Sequence, residues 1–102
     1  MDIHVQVNNM YELKPDPYYP IRDDLHGALE RYLNHGIMPG SFMTAVLENN
    51  LMEAFGRADI CNEANMKNIV GYIYNHVPSN AWGSKEKVTE YLKNLKSKTE
   101  GA

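Results

Sequence analysis

Three prolines within six positions divide the chain into a segment that cannot form a regular helix and a longer one that can. Pro15, Pro17 and Pro20 fix their own φ angles, lack a backbone N–H and push the residue before each of them into extended backbone. Upstream of them, apolar and polar residues alternate over residues 3–7, which is the period of a short strand. The sequence therefore predicts an extended arm over residues 1–21 that can include a short β-strand.

Downstream of Pro20, apolar residues recur at spacings of three and four, the pattern of helices that bury one face. The clearest stripe, from Leu25 to Leu33, is followed by Gly36, which can end a helix in the left-handed conformation. The stripes predict helices over residues 22–35, 42–49, 51–58 and 61–76 and a last helix after Ser84. The predicted fold class is mostly α, a small bundle of four to five short helices over residues 22–97, followed by a frayed tail over residues 98–102.

Local signals predict several details of this bundle. Ser41 and Ser84 are predicted N-caps, and Asp59 or Asn62 is predicted to cap the helix over residues 61–76. The helices over 42–49 and 51–58 are either bent at the asparagines between them or continuous through them. The buried stripe of the helix over 61–76 is predicted to consist of Met66, Ile69, Val70, Ile73, Tyr74 and Val77.

The charge is unevenly distributed along the chain. Residues 1–66 carry four basic side chains and ten carboxylates, whereas residues 67–102 carry six lysines and three carboxylates. An acidic body of this kind lacks the clustered Lys and Arg on which nucleic-acid binding relies, so no nucleic-acid partner is expected. The single cysteine, the absence of a long apolar run and a start without a basic signal region predict a cytoplasmic protein with no membrane association.

The residue types used in catalysis and metal binding do not form recognisable motifs. The four histidines show no HExxH spacing and no pair four residues apart, so no metal site is expected. Cys61 has no nucleophile elbow around it, and the glycines form no phosphate-binding loop. The sequence predicts a protein that is not an enzyme and needs no cofactor.

A polar run between the predicted helices is the strongest candidate for a binding site. Arg57 can pair with Asp59 and fix the corner between two helices, or it can line a polar pocket together with Asn62 and Asn65. An arginine with amides suits a phosphate and a base edge, because guanidinium bonds are bidentate and amides both donate and accept. Exposed tyrosines are typical of recognition surfaces, and the candidates outside the apolar stripes are Tyr18, Tyr19 and Tyr72.

The helical segment contains a series of short runs: Pro39-Gly40-Ser41-Phe42, Ala45-Val46-Leu47-Glu48-Asn49, Glu53-Ala54-Phe55, Arg57-Ala58-Asp59, Tyr72-Ile73-Tyr74-Asn75, Pro78 and Trp82-Gly83-Ser84. Through these runs, about residues 22–95 resemble a family of short uncharacterised proteins from tailed phages and prophages. The resemblance implies a viral gene expressed in the cytoplasm of a host bacterium and carries no known chemistry with it. The first twenty residues lie outside it.

Small accessory phage proteins without catalytic motifs commonly act by binding a component of host defence, which is an argument from context rather than from a site. The first hypothesis is a non-enzymatic counter-defence protein that binds and sequesters a nucleotide-type immune signal. The unpaired strand of the arm favours a homo-oligomer. The alternatives are a protein–protein inhibitor or adaptor that acts on a host defence protein, and a structural or regulatory phage accessory protein.

Overall fold

The computed structural model describes the backbone of residues 11–101 and the side chains of residues 11–96. Six α-helices and one short 3₁₀-helix make up the regular structure of this part, and it contains no β-strand. The α-helices are α1 (Asp23–His35), α2 (Ser41–Leu47), α3 (Leu51–Arg57), α4 (Ile60–Ala64), α5 (Met66–His76) and α6 (Lys85–Gly101), and the 3₁₀-helix is Ser79–Ala81. The mostly α fold class predicted from the sequence is confirmed. The strand predicted over residues 3–7 lies outside the described residues.

The core collects the apolar faces of α1, α2, α5 and α6. Its largest fully buried side chains are Leu29, Tyr32, Leu33, Met43, Leu47, Ile69, Tyr72 and Val88. Buried tyrosines need a hydrogen-bond partner, and here they find one in a distant backbone carbonyl. The Tyr32 hydroxyl donates to Ala81 O at 2.7 Å, and the Tyr91 hydroxyl donates to Leu33 O at 2.7 Å. These bonds tie the C-terminal third of the chain to α1.

Several helix boundaries follow the predicted caps. Gly36 ends α1 with φ of 69°, and the Asp59 carboxylate accepts from the backbone N–H of Asn62 at the start of α4. Ser84 Oγ accepts from the N–H of Lys87 in the first turn of α6. The prediction for Ser41 is wrong: Gly40 occupies the N-cap position, and Ser41, the first helical residue, makes no capping bond. Asn49 has φ of 61°, so α2 and α3 are separate helices with a bend between them.

The helix predicted over residues 61–76 differs from the structure in two respects. Asn65 separates α4 from α5, with its backbone at φ −102° and ψ 14°. The buried stripe of α5 is also rotated relative to the prediction. Val70 and Tyr74 are exposed by 48% and 70%, whereas Tyr72 is completely buried. The physical reason is the arm, which covers the Tyr72 side of α5 and leaves the Val70 side without a covering element.

The described part of the arm lies on the helices. The Asn34 side chain accepts from the N–H of Tyr11 and donates to its carbonyl, and the N–H of Leu13 donates to the Glu30 carboxylate at 2.8 Å. The other end is held by the Asn65 amide, which donates to Pro20 O at 3.0 Å. These are bonds from side chains of the bundle to the backbone of the arm, so an irregular segment without its own secondary structure is fixed along α1 and α5.

Candidate functional site

The arm and α5 meet at Tyr72, and this contact organises the surroundings of several predicted site residues. The Tyr72 hydroxyl donates to Lys14 O at 2.6 Å, and its ring lies between two imidazoles, with centroid distances of 4.9 Å to His26 and 4.5 Å to His76. Burial raises the pKa of Tyr72 to about 12, so its hydroxyl remains a proton donor at neutral pH. In this arrangement Tyr72 supports the arm and has no surface left for a ligand.

A carboxylate–imidazole bond closes the arm over Tyr72. His76 Nε2 lies 2.7 Å from Asp16 Oδ2, and the other oxygen of Asp16 accepts from the N–H of Tyr18 at 2.8 Å. The hydrogen bond to His76 and then that to the Tyr18 backbone hold the pKa of Asp16 below its usual range. The ionised form of Asp16 is therefore the one that fixes the arm.

The lowered pKa of Asp16 predicts a loss of stability in acid. A carboxyl whose folded pKa is depressed contributes stability above its unfolded pKa, about 3.9, and loses it as the pH falls through the folded value. We expect Asp16→Asn to be less stable than wild type near neutral pH, with a difference that shrinks below about pH 4. Thermal unfolding midpoints of both proteins across this range are the measurement. Coincident curves would mean that the Asp16 bond contributes nothing to folding, and a constant offset would mean that its contribution does not depend on ionisation of Asp16.

Tyr18 and Tyr19 occupy a turn but have different surroundings. The Asp16 carbonyl accepts from the N–H of Tyr19 at 3.0 Å, and the turn that results presents Tyr18 with 84% of its surface exposed. The Tyr19 ring instead packs on α5 at Gly71, where a Cβ atom would approach ring carbons to 2.3 Å. Of the three predicted ligand tyrosines, Tyr18 alone has a fully accessible ring.

Arg57 does not pair with Asp59, the structural alternative considered from the sequence. Its Nε donates to the Glu53 carboxylate one helical turn earlier at 2.6 Å, and more than half of the side chain is exposed. The two Nη nitrogens of Arg57 have no hydrogen-bond partner among the described residues. Asp59 caps α4 and lies 3.9 Å from the guanidinium of Arg22.

The two predicted asparagines have contrasting environments. Asn65 is fully used in the fold, because its amide nitrogen donates to Pro20 O and its oxygen accepts from the Asn68 amide at 2.5 Å. Asn62 is buried, with 8% of its surface exposed. Its side-chain amide has no hydrogen-bond partner within the described part of the chain. A buried amide without a partner is unusual and calls for a compensating contact.

The structure brings some of the six predicted residues together and leaves others apart. The contact between the arm and α5 includes Asn65, Tyr19 and Tyr72. Tyr18 lies on the turn next to this contact. Arg57 is the last residue of α3 and pairs with Glu53. None of the six lines the shallow open groove between the α2–α3 bend and α5. That groove is lined by Val46, Asn49, Asn50, Leu51, Ala54, Met66 and Val70.

Sequence reasoning missed several residues that fix the arm, among them Asp16, His76 and Gly71. A signal was present for Gly71, because an isolated glycine inside a helical pattern often marks a close approach of another segment. No local sequence pattern indicates the Asp16–His76 contact, because the two residues are 60 positions apart. The groove joins residues of α2, α3 and α5, so no local pattern in the sequence indicates it.

Within residues 11–96, no three His, Cys, Asp or Glu side chains cluster closely enough to hold a metal ion. None of the described helices combines the length and the apolar character that crossing a membrane requires. Cys61 is exposed and forms no disulfide.

Comparisons with protein-family models, with curated proteins and with solved structures each found no match to this chain.

Proposed function

We propose that this chain is a non-enzymatic phage counter-defence protein that binds and sequesters a nucleotide-type immune signal in the host cytoplasm, acting as a homo-oligomer. The phage context comes from the sequence resemblance over about residues 22–95. The observation that carries the ligand class is the open edge of Arg57. Glu53 holds Nε and so fixes the guanidinium plane, while both Nη nitrogens face no protein acceptor in the described part.

An Nη pair held in this way matches two oxygens of one phosphate, because parallel N–H donors are the geometry of a bidentate contact. Arg22 offers a contrast within the same protein. Its Nε and one Nη donate to the Asp24 carboxylate at 3.1 and 3.2 Å, and its other Nη faces Asp59. The guanidinium of Arg22 is thus surrounded by carboxylates of the fold, whereas the Nη donors of Arg57 are available to a ligand.

The unpaired amide of Asn62 supports the same ligand class. A buried amide that lacks a partner costs about 1–3 kcal/mol, and a ligand that both donates and accepts removes that cost. The polar edge of a nucleobase has this mixed character. The accessible ring of Tyr18 supplies a surface on which a base can stack.

The test is native mass spectrometry of the purified chain mixed with a panel of cyclic and ADP-ribose-type nucleotides. We expect an oligomer that gains small-molecule adducts in a fixed ratio to subunits, and we expect Arg57→Ala to abolish them. Arg31→Ala is the matched control, since Arg31 is an exposed arginine of α1 outside the predicted site. Adducts that survive Arg57→Ala would refute the assignment of Arg57.

A chain that stays free of ligand across the whole panel would refute the nucleotide proposal and favour a host defence protein as the partner. The acidic first two-thirds of the chain then becomes the contact surface. Attraction between exposed charges is screened over about 10 Å at 0.1 M salt, so capture of such a partner from host lysate would weaken as salt is added.

A further inference from the structure

Five large apolar side chains form one exposed surface on α3 and α5, which we call the α3–α5 face. Its members are Leu51, Met52, Phe55, Val70 and Tyr74. The surface is continuous: Leu51 and Phe55 are one turn apart on α3, Leu51 and Val70 line the same groove, and Val70 and Tyr74 are one turn apart on α5. The Tyr74 ring is held in place by Trp82, with their centroids 5.8 Å apart.

The centre of this face carries no charge. The groove between its two helices is lined by five apolar side chains and by the amides of Asn49 and Asn50. The charged neighbours on α3, Glu53 and Arg57, neutralise each other. Depletion of charge at an apolar centre distinguishes the core of a protein interface from ordinary surface.

The size of the face also matches one half of a stable dimer contact. The exposed fractions of its five members add up to about three complete side chains. At roughly 150–200 Å² for a large apolar side chain, this is about 450–600 Å² of apolar surface. A standard interface covers about 800 Å² on each partner, and about 65% of a homodimer interface is apolar, which requires about 500 Å².

We propose that the α3–α5 face is the interface between two copies of this chain, related by a two-fold axis. A two-fold axis places the same patch on both sides, so that one apolar surface covers the other. Interfaces with transient partners are only as apolar as average surface, whereas homodimer contacts have a higher apolar share, which five exposed apolar side chains on one face can supply. Met52, which is exposed on this face, can adjust its unbranched side chain to close the contact. The proposal rests on the homo-oligomer of the proposed function and identifies its contact surface.

Sedimentation velocity of the full chain without any ligand tests this interface. We expect wild type to sediment as a dimer or a larger even-numbered oligomer, and Val70→Glu to raise the dissociation constant of the dimer by about 30-fold or more, as loss of an interface hot spot does. Leu51→Glu on the facing helix should have the same effect. Far-UV circular dichroism checks that each variant is folded. Ile37→Glu is the matched control, because Ile37 is 52% exposed, similar to Val70 at 48%, but lies between α1 and α2.

Each outcome decides the proposal. A dimer that is lost in Val70→Glu and Leu51→Glu and kept in Ile37→Glu supports it. A monomeric wild type would overturn it and assign the face to a different protein, and folded variants that keep the wild-type mass would place the contact elsewhere. Equal loss in Ile37→Glu would also overturn it. Because no nucleotide is present, a failure here leaves the adduct measurement unaffected, and absent adducts leave the dimer result unaffected.

Discussion

Replacing Tyr72 with alanine should lower the free energy of unfolding by about 3–5 kcal/mol, the range for removing a buried aromatic side chain. Tyr72 is completely buried, stands between the rings of His26 and His76, and donates to Lys14 O. Its loss leaves a cavity beneath the arm and an unpaired carbonyl within it. Chemical denaturation followed by circular dichroism measures the change. Cleavage by chymotrypsin after Tyr18 should also become faster, because the arm loses its support.

Two variants separate the parts of this effect. Tyr72→Phe keeps the ring and removes the hydroxyl, so we expect a loss of about 1–2 kcal/mol, typical of one buried hydrogen bond. Tyr74→Ala, two positions away on the exposed side of α5, removes a ring contact with Trp82 and should lower the free energy of unfolding by only about 0.5–1.5 kcal/mol. All three are best compared in the Leu51→Glu background, where self-association through the α3–α5 face does not contribute. A larger loss for Tyr74→Ala than for Tyr72→Ala would mean that Tyr74, and not Tyr72, is on the buried side of α5 in solution.

The periodicity of α5 shows why the sequence predicts helices better than it predicts their orientation. The predicted and the observed buried stripes share Met66, Ile69 and Ile73. These three residues allow the rest of the buried stripe to contain either Val70 and Tyr74 or, on the other side of the helix, Tyr72. Periodicity reflects the spacing of apolar side chains within one helix and does not indicate which face a distant segment covers. The arm decides between the two sides, because Lys14 supplies the acceptor that a buried Tyr72 hydroxyl needs.

The interactions around the candidate site were predictable where they join residues that are close in the sequence. Asp59 as a cap and Gly36 as a helix end depend on neighbours within four positions, and both predictions are confirmed. The pairing of Arg57 with Asp59 was a reasonable local alternative, but α3 places Glu53 one turn away, in the geometry that favours an i,i+4 pair. Asn65 has its role assigned by Pro20, 45 positions earlier, which no local pattern reveals.

Gly71→Ala should destabilise the protein by about 1–3 kcal/mol, although alanine is the better helix former. The added Cβ atom would lie 2.3 Å from two carbons of the Tyr19 ring, so either the ring or the arm must move. The displacement should also weaken the neighbouring contact of Asp16 with His76, since Asp16 and Tyr19 belong to the same turn. We therefore expect the stability difference from wild type to shrink at acid pH, as for Asp16→Asn.

Gly56→Ala is the matched control for this prediction, because Gly56 lies in α3 and the added carbon would meet nothing within 4 Å apart from its chain neighbours and the backbone of its own helix. Removing a glycine from an exposed helix without creating a clash should stabilise the fold by about 0.5–1 kcal/mol. Glycine to alanine is thus expected to lower the free energy of unfolding at Gly71 and to raise it at Gly56. A decrease at Gly71 indicates that the arm lies on α5. If Gly71→Ala stabilised the protein as much as Gly56→Ala does, Tyr19 would not lie on α5 in solution, and the rotation of the buried stripe towards Tyr72 would lose its physical cause.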